Sequence, residues 1–473
     1  MDRPRTKQVC TIGPASADKI ADLVAAGMDV ARINFSHGTP DDHKAYVHAV
    51  RAAAHSARRS VAVMADLPGP KLRLGELEGG AVRLASGSTF ILRAGAESVG
   101  DASGAGISGV DLATRLQVGD RVLMSDGAVE LKVTQTADGQ ITTEVVNGGL
   151  VRSRSGVNVP SERFGEGGLT DADRAAVPRA LELRVDLLAQ SFVRSAADVV
   201  ALKQLLPADG PRVVAKIETR AAVDDFDAIA AAADGIMVAR GDLGVDIPFE
   251  NVPMIQKDLV RRATTAGCFT IVATQMLESM TAAARPTRAE ASDVANAVID
   301  GADAVMLSAE TAIGEYPVEA LQALERICLA TEVVGGELMA GAGVPFGQSP
   351  AEEVIAAASY VAARNGVGQV WCFTRSGRTA ELLSLQRPGV PVVAFTLSPV
   401  VARRLAVRRG VVPLVLPAGA KNVPLNDQME AAWRSQRGAS ADNDNVLLVT
   451  TSSQPAGINR LEFHHLGAAA RAR

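Results

Sequence analysis

The chain has 473 residues, 47% of them hydrophobic and 21% charged, which predicts two to four globular domains and excludes a disordered chain. A formal net charge of −5 provides no general excess of positive charge, so we expect neither nucleic acid nor a membrane as a partner. The four cysteines are far apart without a CxxC pair, and the N-terminus lacks an apolar signal segment. Both features favour a reduced, cytoplasmic protein.

Apolar strand-like runs alternate with amphipathic helical stretches from the N-terminus onward. Continuous apolar runs are typical of strands buried on both faces of a parallel sheet. Eight runs of this kind, mostly followed by helical patterns, predict a (β/α)8 barrel, with an open doubly wound sheet as the alternative. The runs are Val9–Gly13, Val30–Ser36, Val61–Leu67, Val185–Phe192, Arg212–Glu218, Gly235–Leu243, Phe269–Met276 and Ala304–Thr311.

One interval interrupts this alternation. Residues 71–158 contain short alternating stretches separated by turn dipeptides such as Asn147-Gly148, which predicts an inserted small β-barrel or sandwich. The barrel would then comprise residues 1–70 and 159–343. A Gly- and Pro-rich linker is predicted at 335–350. The strand–helix alternation then restarts, and residues 344–473 are predicted to form a separate α/β domain.

Polar residues follow several of the predicted barrel strands, where barrel enzymes carry their active sites. Side-chain alternation places Lys216 and Glu218 on one face of the fifth strand. Together with Asp242, Glu218 could bind a hard divalent cation, while Arg32 and Lys216 would face an anionic substrate. This set suits phosphoryl transfer or enolate chemistry. For each residue taken alone, a surface salt bridge is the alternative.

Long motifs in the first 330 residues resemble the pyruvate kinase family, and a weaker similarity continues to the C-terminus. They read TKQVCTIGPAS (6–16), ARINFSHG (31–38), KIE (216–218), MVARGDLG (237–244), ATQMLESM (273–280), RPTRAE (285–290) and SDVANA (292–297). The resemblance implies a barrel, an inserted β lid and a C-terminal α/β domain. It also implies phosphoryl transfer from phosphoenolpyruvate to ADP, the last step of glycolysis.

The resemblance also assigns residue roles. Arg32 should contact the phosphate, and Lys216 the phosphoryl group in transfer. Glu218 and Asp242 should hold Mg²⁺ or Mn²⁺, and Thr274 should contact the substrate and help protonate the enolate. The remaining implied contacts are the backbone at Arg240, Gly241 and Asp242 for the substrate carboxylate, and Arg73, His37 and Asp126 for the nucleotide–phosphate region.

Two other functions compete with a kinase. A metal-dependent pyruvate aldolase or lyase on the same barrel would use the same carboxylates and an enolate, but it would need no closing nucleotide lid. An inactive homologue that only binds ligands is the second alternative. The presence of Arg32, Lys216, Glu218, Asp242 and Thr274 argues against it.

A departure from the family pattern concerns K⁺. Three ligands of the family's potassium site are present as Asn34, Ser36 and Asp66. However, the segment that usually reads Asp-Thr-Lys-Gly-Pro-Glu is DLPGPK at 66–71, so that Lys71 replaces a glutamate. We hypothesise that the Lys71 ammonium substitutes for K⁺ and that the monovalent ion is not required. A solvated lysine at the lid hinge is the alternative.

The C-terminal domain contains a candidate phosphate loop between a predicted strand and helix. Backbone N–H groups, hydroxyls and guanidiniums at such a junction can bind anions, and the loop resembles the effector loop of allosteric family members. Its residues are Thr374, Arg375, Ser376, Gly377, Arg378 and Thr379. A capped helix start with exposed arginines is the alternative. The family's later Gly-Thr-Thr-Asn loop is replaced by QPAGIN at 454–459, which leaves any effector unidentified. The resemblance further implies a homotetramer with dihedral symmetry.

Overall fold

Eight parallel strands close into a barrel in the computed structural model, as predicted. Each strand pairs with the next one in the chain, and the eighth pairs with the first. The eight strands are Lys7–Ile12, Val30–Asn34, Ala62–Asp66, Leu187–Gln190, Arg212–Ile217, Gly235–Ala239, Phe269–Ala273 and Ala304–Leu307. The alternative of an open doubly wound sheet is therefore wrong.

The structure describes residues 3–70, 72–95, 98–108, 112–125, 127–137, 139–160, 163, 168–334, 349–417, 423–437, 445–451 and 459–466. Most of the predicted linker at 335–350 lies outside these residues. The three predicted domain boundaries, after residues 70, 158 and 343, stay predictions.

The barrel strands are buried along almost their whole length, which explains their unbroken apolar character. Several predicted strands extended too far toward their C-terminal ends. The sixth strand ends at Ala239 and a helix begins at Arg240, while the eighth ends at Leu307. Buried residues such as Leu243 continue into the following helix, and an apolar run cannot by itself separate the two structures.

Helices surround the barrel. Capping boxes at Thr39, Thr170 and Thr287 satisfy backbone N–H groups at three helix starts. The helix beginning after Thr170 was not predicted. The α-helices in this part of the chain are Ile20–Ala26, Pro40–Ser56, Asp171–Glu182, Ala196–Lys203, Arg220–Asp224, Phe226–Ala232, Arg240–Asp246, Val252–Thr265, Arg288–Ile299, Ala309–Ala312 and Pro317–Val334, with 3₁₀ turns at Phe249–Asn251 and Glu278–Thr281.

The inserted β domain is a second closed barrel, which we call the lid. Its barrel strands are Leu72–Leu74, Thr89–Ala94, Gly104–Ser108, Arg121–Met124, Val129–Ala137, Gln140–Asn147 and Gly156–Asn158. A separate two-stranded sheet pairs Ala81–Leu84 with Gly149–Arg152, and a 3₁₀ turn covers Glu78–Gly80. The lid has its own apolar core, with Phe90, Leu92 and Leu131 fully buried, so it can pack independently of the catalytic barrel.

The C-terminal domain contains a five-stranded sheet between helices. In spatial order its strands are Val411–Val415, Val392–Thr396, Gln369–Phe373, Asn445–Thr450 and Arg460–His465. The first four are parallel and the last is antiparallel. Its helices are Pro350–Arg364, Arg378–Leu385, Pro399–Leu405 and Leu425–Arg437.

An aspartate lies immediately before the second, fourth, sixth and eighth barrel strands, at the base of the catalytic barrel. Each carboxylate accepts the backbone N–H of a residue in the preceding barrel strand, at 2.8 to 3.1 Å. These residues are Asp29, Asp186, Asp234 and Asp303. Arg403 of the C-terminal domain lies 2.8 Å from Asp186, and Arg387 lies 3.3 Å from Asp303. The C-terminal domain is thus attached to the barrel base, opposite the end where active sites form.

Candidate active site

Charged side chains from separate strands meet at the C-terminal mouth of the barrel. The Arg32 guanidinium, from the second strand, lies 2.7 Å from Asp66 Oδ2 at the end of the third. It also donates to Thr11 Oγ1 at 3.0 Å from the first strand. Asp66 is 1% exposed, and burial of a charge requires such a partner. Closure of the barrel therefore fixes Arg32 before any substrate arrives.

The Lys216 ammonium lies at the centre of this group. Its Nζ is 2.8 Å from Glu218 Oε1 and 3.3 Å from Asp66 Oδ1. Burial favours a lower pKa for this lysine, but the charges of Asp66 and Glu218 outweigh burial and raise the pKa. Lys216 is therefore a permanent cation at neutral pH. It can stabilise negative charge that develops on a reacting oxygen.

Glu218 and Asp242 suit a divalent cation. Burial raises the pKa of Glu218 and the charge of Asp242 raises it further, against the opposing effect of Lys216. Glu218 Oε1 has the ammonium beside it but no well-directed hydrogen bond. A divalent cation, in addition to the Lys216 ammonium, would therefore stabilise the ionised forms of Glu218 and Asp242. No larger group of His, Cys, Asp or Glu that could hold a metal occurs among the described residues, so water or substrate would complete the coordination of such an ion.

Thr274 occupies a strained turn after the seventh strand. Its φ of +69° is rare for a β-branched residue, and the next residue, Gln275, also has a positive φ of +54°. Thr274 Oγ1 accepts the Gly241 N–H at 2.8 Å and donates to Ala273 O at 2.6 Å. The Arg240 guanidinium donates to Thr274 O at 2.7 Å. The Arg240 side chain therefore holds this turn in place.

The sequence prediction missed a turn that follows the fourth strand. The Lys216 ammonium donates to Ser191 Oγ at 2.8 Å, and the Phe192 N–H donates to Glu218 Oε2 at 2.7 Å. Polar residues at other predicted strand ends were considered as site candidates, but those of the fourth strand were not. The same rule, applied to Gln190-Ser191, would have found this turn.

Two of the three predicted potassium ligands, Asn34 and Ser36, lie at and just beyond the end of the second strand, and the third, Asp66, ends the third strand. Asn34 Oδ1 accepts the Ser36 N–H at 3.0 Å. Ser36 Oγ is buried without a hydrogen-bond partner among the described residues, and it is therefore available to a ligand. His37 is exposed, and its carbonyl lies 2.7 Å from His43 Nε2. This contact holds the predicted nucleotide loop against the helix that follows it.

One turn of the lid comes close to the helix after the sixth barrel strand. A Cβ added at Gly127 would lie 3.9 Å from Val245 Cγ2, in the helix after the sixth strand. Arg73 donates to Arg154 O at 3.3 Å inside the lid, and among the described residues no bond joins it to the charged group at the mouth. Asp126 and Lys71, both assigned functions from the sequence, lie outside the described residues.

The predicted effector loop has the expected position between a strand and a helix. Thr374 is buried, and its Oγ1 accepts the Gly377 N–H at 2.9 Å. Gly377 has a φ of +97°, which favours glycine. Arg375 and Ser376 are exposed, while Arg378 lies 3.8 Å from Glu352. Thr379 Oγ1 is 2.9 Å from Thr451 Oγ1. The loop is thus held by its own hydroxyls and exposes its arginines.

Comparison with known proteins decides the family. The model of the pyruvate kinase barrel domain matches residues 3–321, and that of the pyruvate kinase alpha/beta domain matches residues 352–462. The chain belongs to the pyruvate kinase family. The predicted fold and the predicted kinase function are therefore confirmed, and no comparison supports the aldolase alternative.

Individual pyruvate kinases align over nearly the whole chain. The enzyme of Geobacillus stearothermophilus is 39% identical over 96% of this chain and 78% of its own. That of Mycobacterium tuberculosis is 42% identical over 98% of both chains. The crystal structure of a pyruvate kinase from Cryptosporidium parvum has a TM-score of 0.85 and 33% identity, covering 98% of this chain and 96% of the other. Pyruvate kinases are phosphotransferases that generally depend on a divalent metal. Among the described helices, none has the length and apolar character needed to cross a membrane.

Proposed function

We propose that the charged group at the barrel mouth transfers the phosphoryl group of phosphoenolpyruvate to ADP. The observation that carries this proposal is the position of Lys216 Nζ, 2.8 Å from Glu218 and 3.3 Å from Asp66, with Arg32 bound to the same Asp66. Arg32 would contact the substrate phosphate. Lys216 would follow the phosphoryl group as its P–O bond to the enolate breaks and a bond to the ADP β-phosphate forms.

Glu218 and Asp242 would hold Mg²⁺ or Mn²⁺. When bound, this ion would neutralise charge that develops on the phosphoryl and enolate oxygens. The backbone at Arg240, Gly241 and Asp242 would face the substrate carboxylate. The Gly241 N–H donates to Thr274 Oγ1 at 2.8 Å, which supports placing both residues beside the same part of the substrate.

Thr274 would contact the substrate and help deliver a proton to the enolate carbon, which gives pyruvate. Its hydroxyl hydrogen is directed to Ala273 O at 2.6 Å. Donation toward the substrate therefore requires this hydrogen to rotate about the Cβ–Oγ1 bond. The lid, with Arg73 and Asp126, and His37 of the barrel loop would enclose the nucleotide. Enclosure would exclude water that could otherwise accept the phosphoryl group.

The first test is a coupled assay of ATP formation from phosphoenolpyruvate and ADP, in K⁺ and in tetramethylammonium at equal ionic strength. We expect kcat and KM to agree within about twofold between the two cations. The reason is that the Lys71 ammonium would replace the charge of K⁺. Absence of ATP formation would contradict the proposed reaction, whereas strong activation by K⁺ would contradict only the role of Lys71.

The Lys71→Glu variant should acquire a K⁺ dependence of about tenfold or more, because a new carboxylate at that position lacks a compensating cation. Lys44→Glu is a matched charge reversal on an exposed face of the helix Pro40–Ser56 and should remain independent of K⁺. If both variants respond alike to K⁺, the effect comes from net charge and the substitution hypothesis fails.

We also propose that the loop at 374–379 binds a phosphorylated effector. At saturating concentration, a sugar phosphate or AMP should raise Tm by about 2 °C or more, measured in a thermal-shift screen. Arg378→Ala should remove the rise, while Arg364→Ala, on an exposed arginine of the same domain, should keep it. If no phosphorylated compound changes Tm, the effector hypothesis is wrong and the loop is only a capped helix start with exposed arginines.

A homotetramer with dihedral symmetry is proposed for the assembly. Large exposed apolar side chains on both domains support it: Phe249 and Met254 on the barrel are 79% and 68% exposed, and Phe463 on the C-terminal domain is 61% exposed. Such side chains are typical of contacts between subunits. Light scattering of the purified protein would reveal a different assembly by its mass.

A further inference from the structure

Lys216 is held by a neutral group as well as by charged ones. Its ammonium has three hydrogens and three acceptors nearby: Glu218 Oε1 at 2.8 Å, Asp66 Oδ1 at 3.3 Å and the Ser191 hydroxyl at 2.8 Å. We propose that Ser191 is a positioning residue for Lys216. This inference rests on the proposed function of that lysine and assigns Ser191 no contact with substrate.

The Ser191 hydroxyl is itself fixed. Its Oγ donates to Leu67 O at 2.8 Å and lies 3.3 Å from Asp66 Oδ1. A hydroxyl has a single hydrogen, so donation to Leu67 leaves a lone pair for the ammonium. Gly69 packs closely against the serine, because a Cβ at this glycine would lie 2.7 Å from Ser191 Cβ. Ser191 therefore cannot retreat toward the segment that leads into the lid.

The next residue holds the partner of the lysine. The Phe192 N–H donates to Glu218 Oε2 at 2.7 Å, with Phe192 at a φ of +54°. A bulky residue rarely adopts this conformation, and it persists where surrounding contacts impose it. One turn thus binds Lys216 through a side chain and Glu218 through the backbone. It thereby sets the separation between the proposed phosphoryl-transfer group and a proposed metal ligand.

The neutrality of Ser191 gives it a different role from the carboxylates. Asp66 is shared with Arg32, 2.7 Å away, and Glu218 would be shared with the divalent cation. A phosphoryl group that enters the site is negatively charged, so it competes with both carboxylates for the Lys216 ammonium. Ser191 carries no charge, so its hydrogen bond can persist while the other contacts of Lys216 change. It would keep the ammonium aligned during transfer, where small displacements reduce the rate strongly.

The Ser191→Ala variant tests this inference. We expect kcat to fall about 10- to 100-fold, while KM for phosphoenolpyruvate and the Kd of Mn²⁺ stay within about twofold. Arg32, Glu218 and Asp242 remain in place, which is why binding should survive. Ser191→Cys occupies the space with a weak acceptor and should show the same loss of kcat. If the alanine variant folds poorly, kcat of the Ser191→Cys variant therefore tests the same inference.

A matched control separates positioning from stability. Ser384 is a buried serine of the C-terminal domain whose hydroxyl donates to Arg409 O at 2.8 Å. Ser384→Ala should lower Tm about as much as Ser191→Ala without lowering kcat. An equal loss of kcat in both variants would mean general loosening and would overturn the proposal. A raised KM with unchanged kcat in Ser191→Ala would also overturn it, because that result assigns Ser191 to substrate binding.

Lys216→Met, measured in parallel, distinguishes the positioning role of Ser191 from the proposed function of Lys216. If it abolishes turnover while both Ser191 variants retain kcat within about twofold, the positioning role is wrong and the proposed function stands. If Lys216→Met itself retains turnover, the proposed function fails, and the positioning role fails with it.

Discussion

Replacing Lys216 by methionine should lower kcat at least about 1,000-fold, equivalent to about 4 kcal/mol of transition-state stabilisation. The methionine keeps most of the side-chain volume but removes the cation that would accompany the phosphoryl group. Arg32 is fixed by Asp66 at 2.7 Å and remains, so phosphoenolpyruvate should still bind. Steady-state kinetics give kcat, and calorimetry of substrate binding tests whether affinity is kept.

Lys203→Met is the matched control for this experiment. Lys203 pairs with Asp234 at the base of the barrel, 3.1 Å away, at the opposite end from the mouth. Its replacement should leave kcat unchanged. Turnover within about tenfold of the parent in Lys216→Met would refute a role for this ammonium in transfer. A comparable loss in the control would attribute the effect to folding.

The Glu218→Gln variant should bind Mn²⁺ at least about tenfold more weakly, because glutamine keeps the shape of the side chain but not the charge. The buried position of Glu218, 1% exposed, makes the charge decisive, since little solvent screens it. Electron paramagnetic resonance of free Mn²⁺ measures this affinity without turnover. Mg²⁺ should compete with Mn²⁺ for the site in the parent protein.

Glu250→Gln provides the control, because Glu250 is an exposed carboxylate beyond the helix that carries Asp242. Its Mn²⁺ affinity should match that of the parent. Unchanged Mn²⁺ binding in Glu218→Gln would remove Glu218 from the proposed metal site. The Asp242→Asn variant would then show whether the other carboxylate acts without it.

Much of the fold could be predicted from the sequence because parallel strands buried on both faces leave unbroken apolar runs. All eight barrel strands lay within or close to their predicted ranges. The errors follow from the same signal. Lid strands such as Leu72–Leu74 and Gly156–Asn158 are three residues long, too short for a visible period. The unpredicted helix Asp171–Glu182 has five charged residues among its twelve, with Pro178 inside it, and it follows the lid.

The candidate site was only partly predictable. Arg32, Lys216, Glu218, Asp242 and Thr274 stand in the motifs that resemble the family, and naming them as candidates required no coordinates. The structure also places Lys216 and Glu218 on one face, 2.8 Å apart, as strand alternation predicts. The sequence could not indicate that the Arg240 side chain turns toward Thr274 O, because that contact joins a helix start and a turn that follow two different strands.

By itself, the sequence determined the family, the barrel and the principal charged residues, because these depend on long motifs and local periodicity. The length allowed two to four domains, and the interrupted alternation of strands and helices already indicated a lid inserted into a barrel. Only the tertiary structure decided which partners hold those residues. Ser191 reaches Lys216, and Phe192 reaches Glu218, across neighbouring strands. Contacts of this kind arise when the barrel closes and brings together strand ends that are distant in the chain, and no local pattern records them.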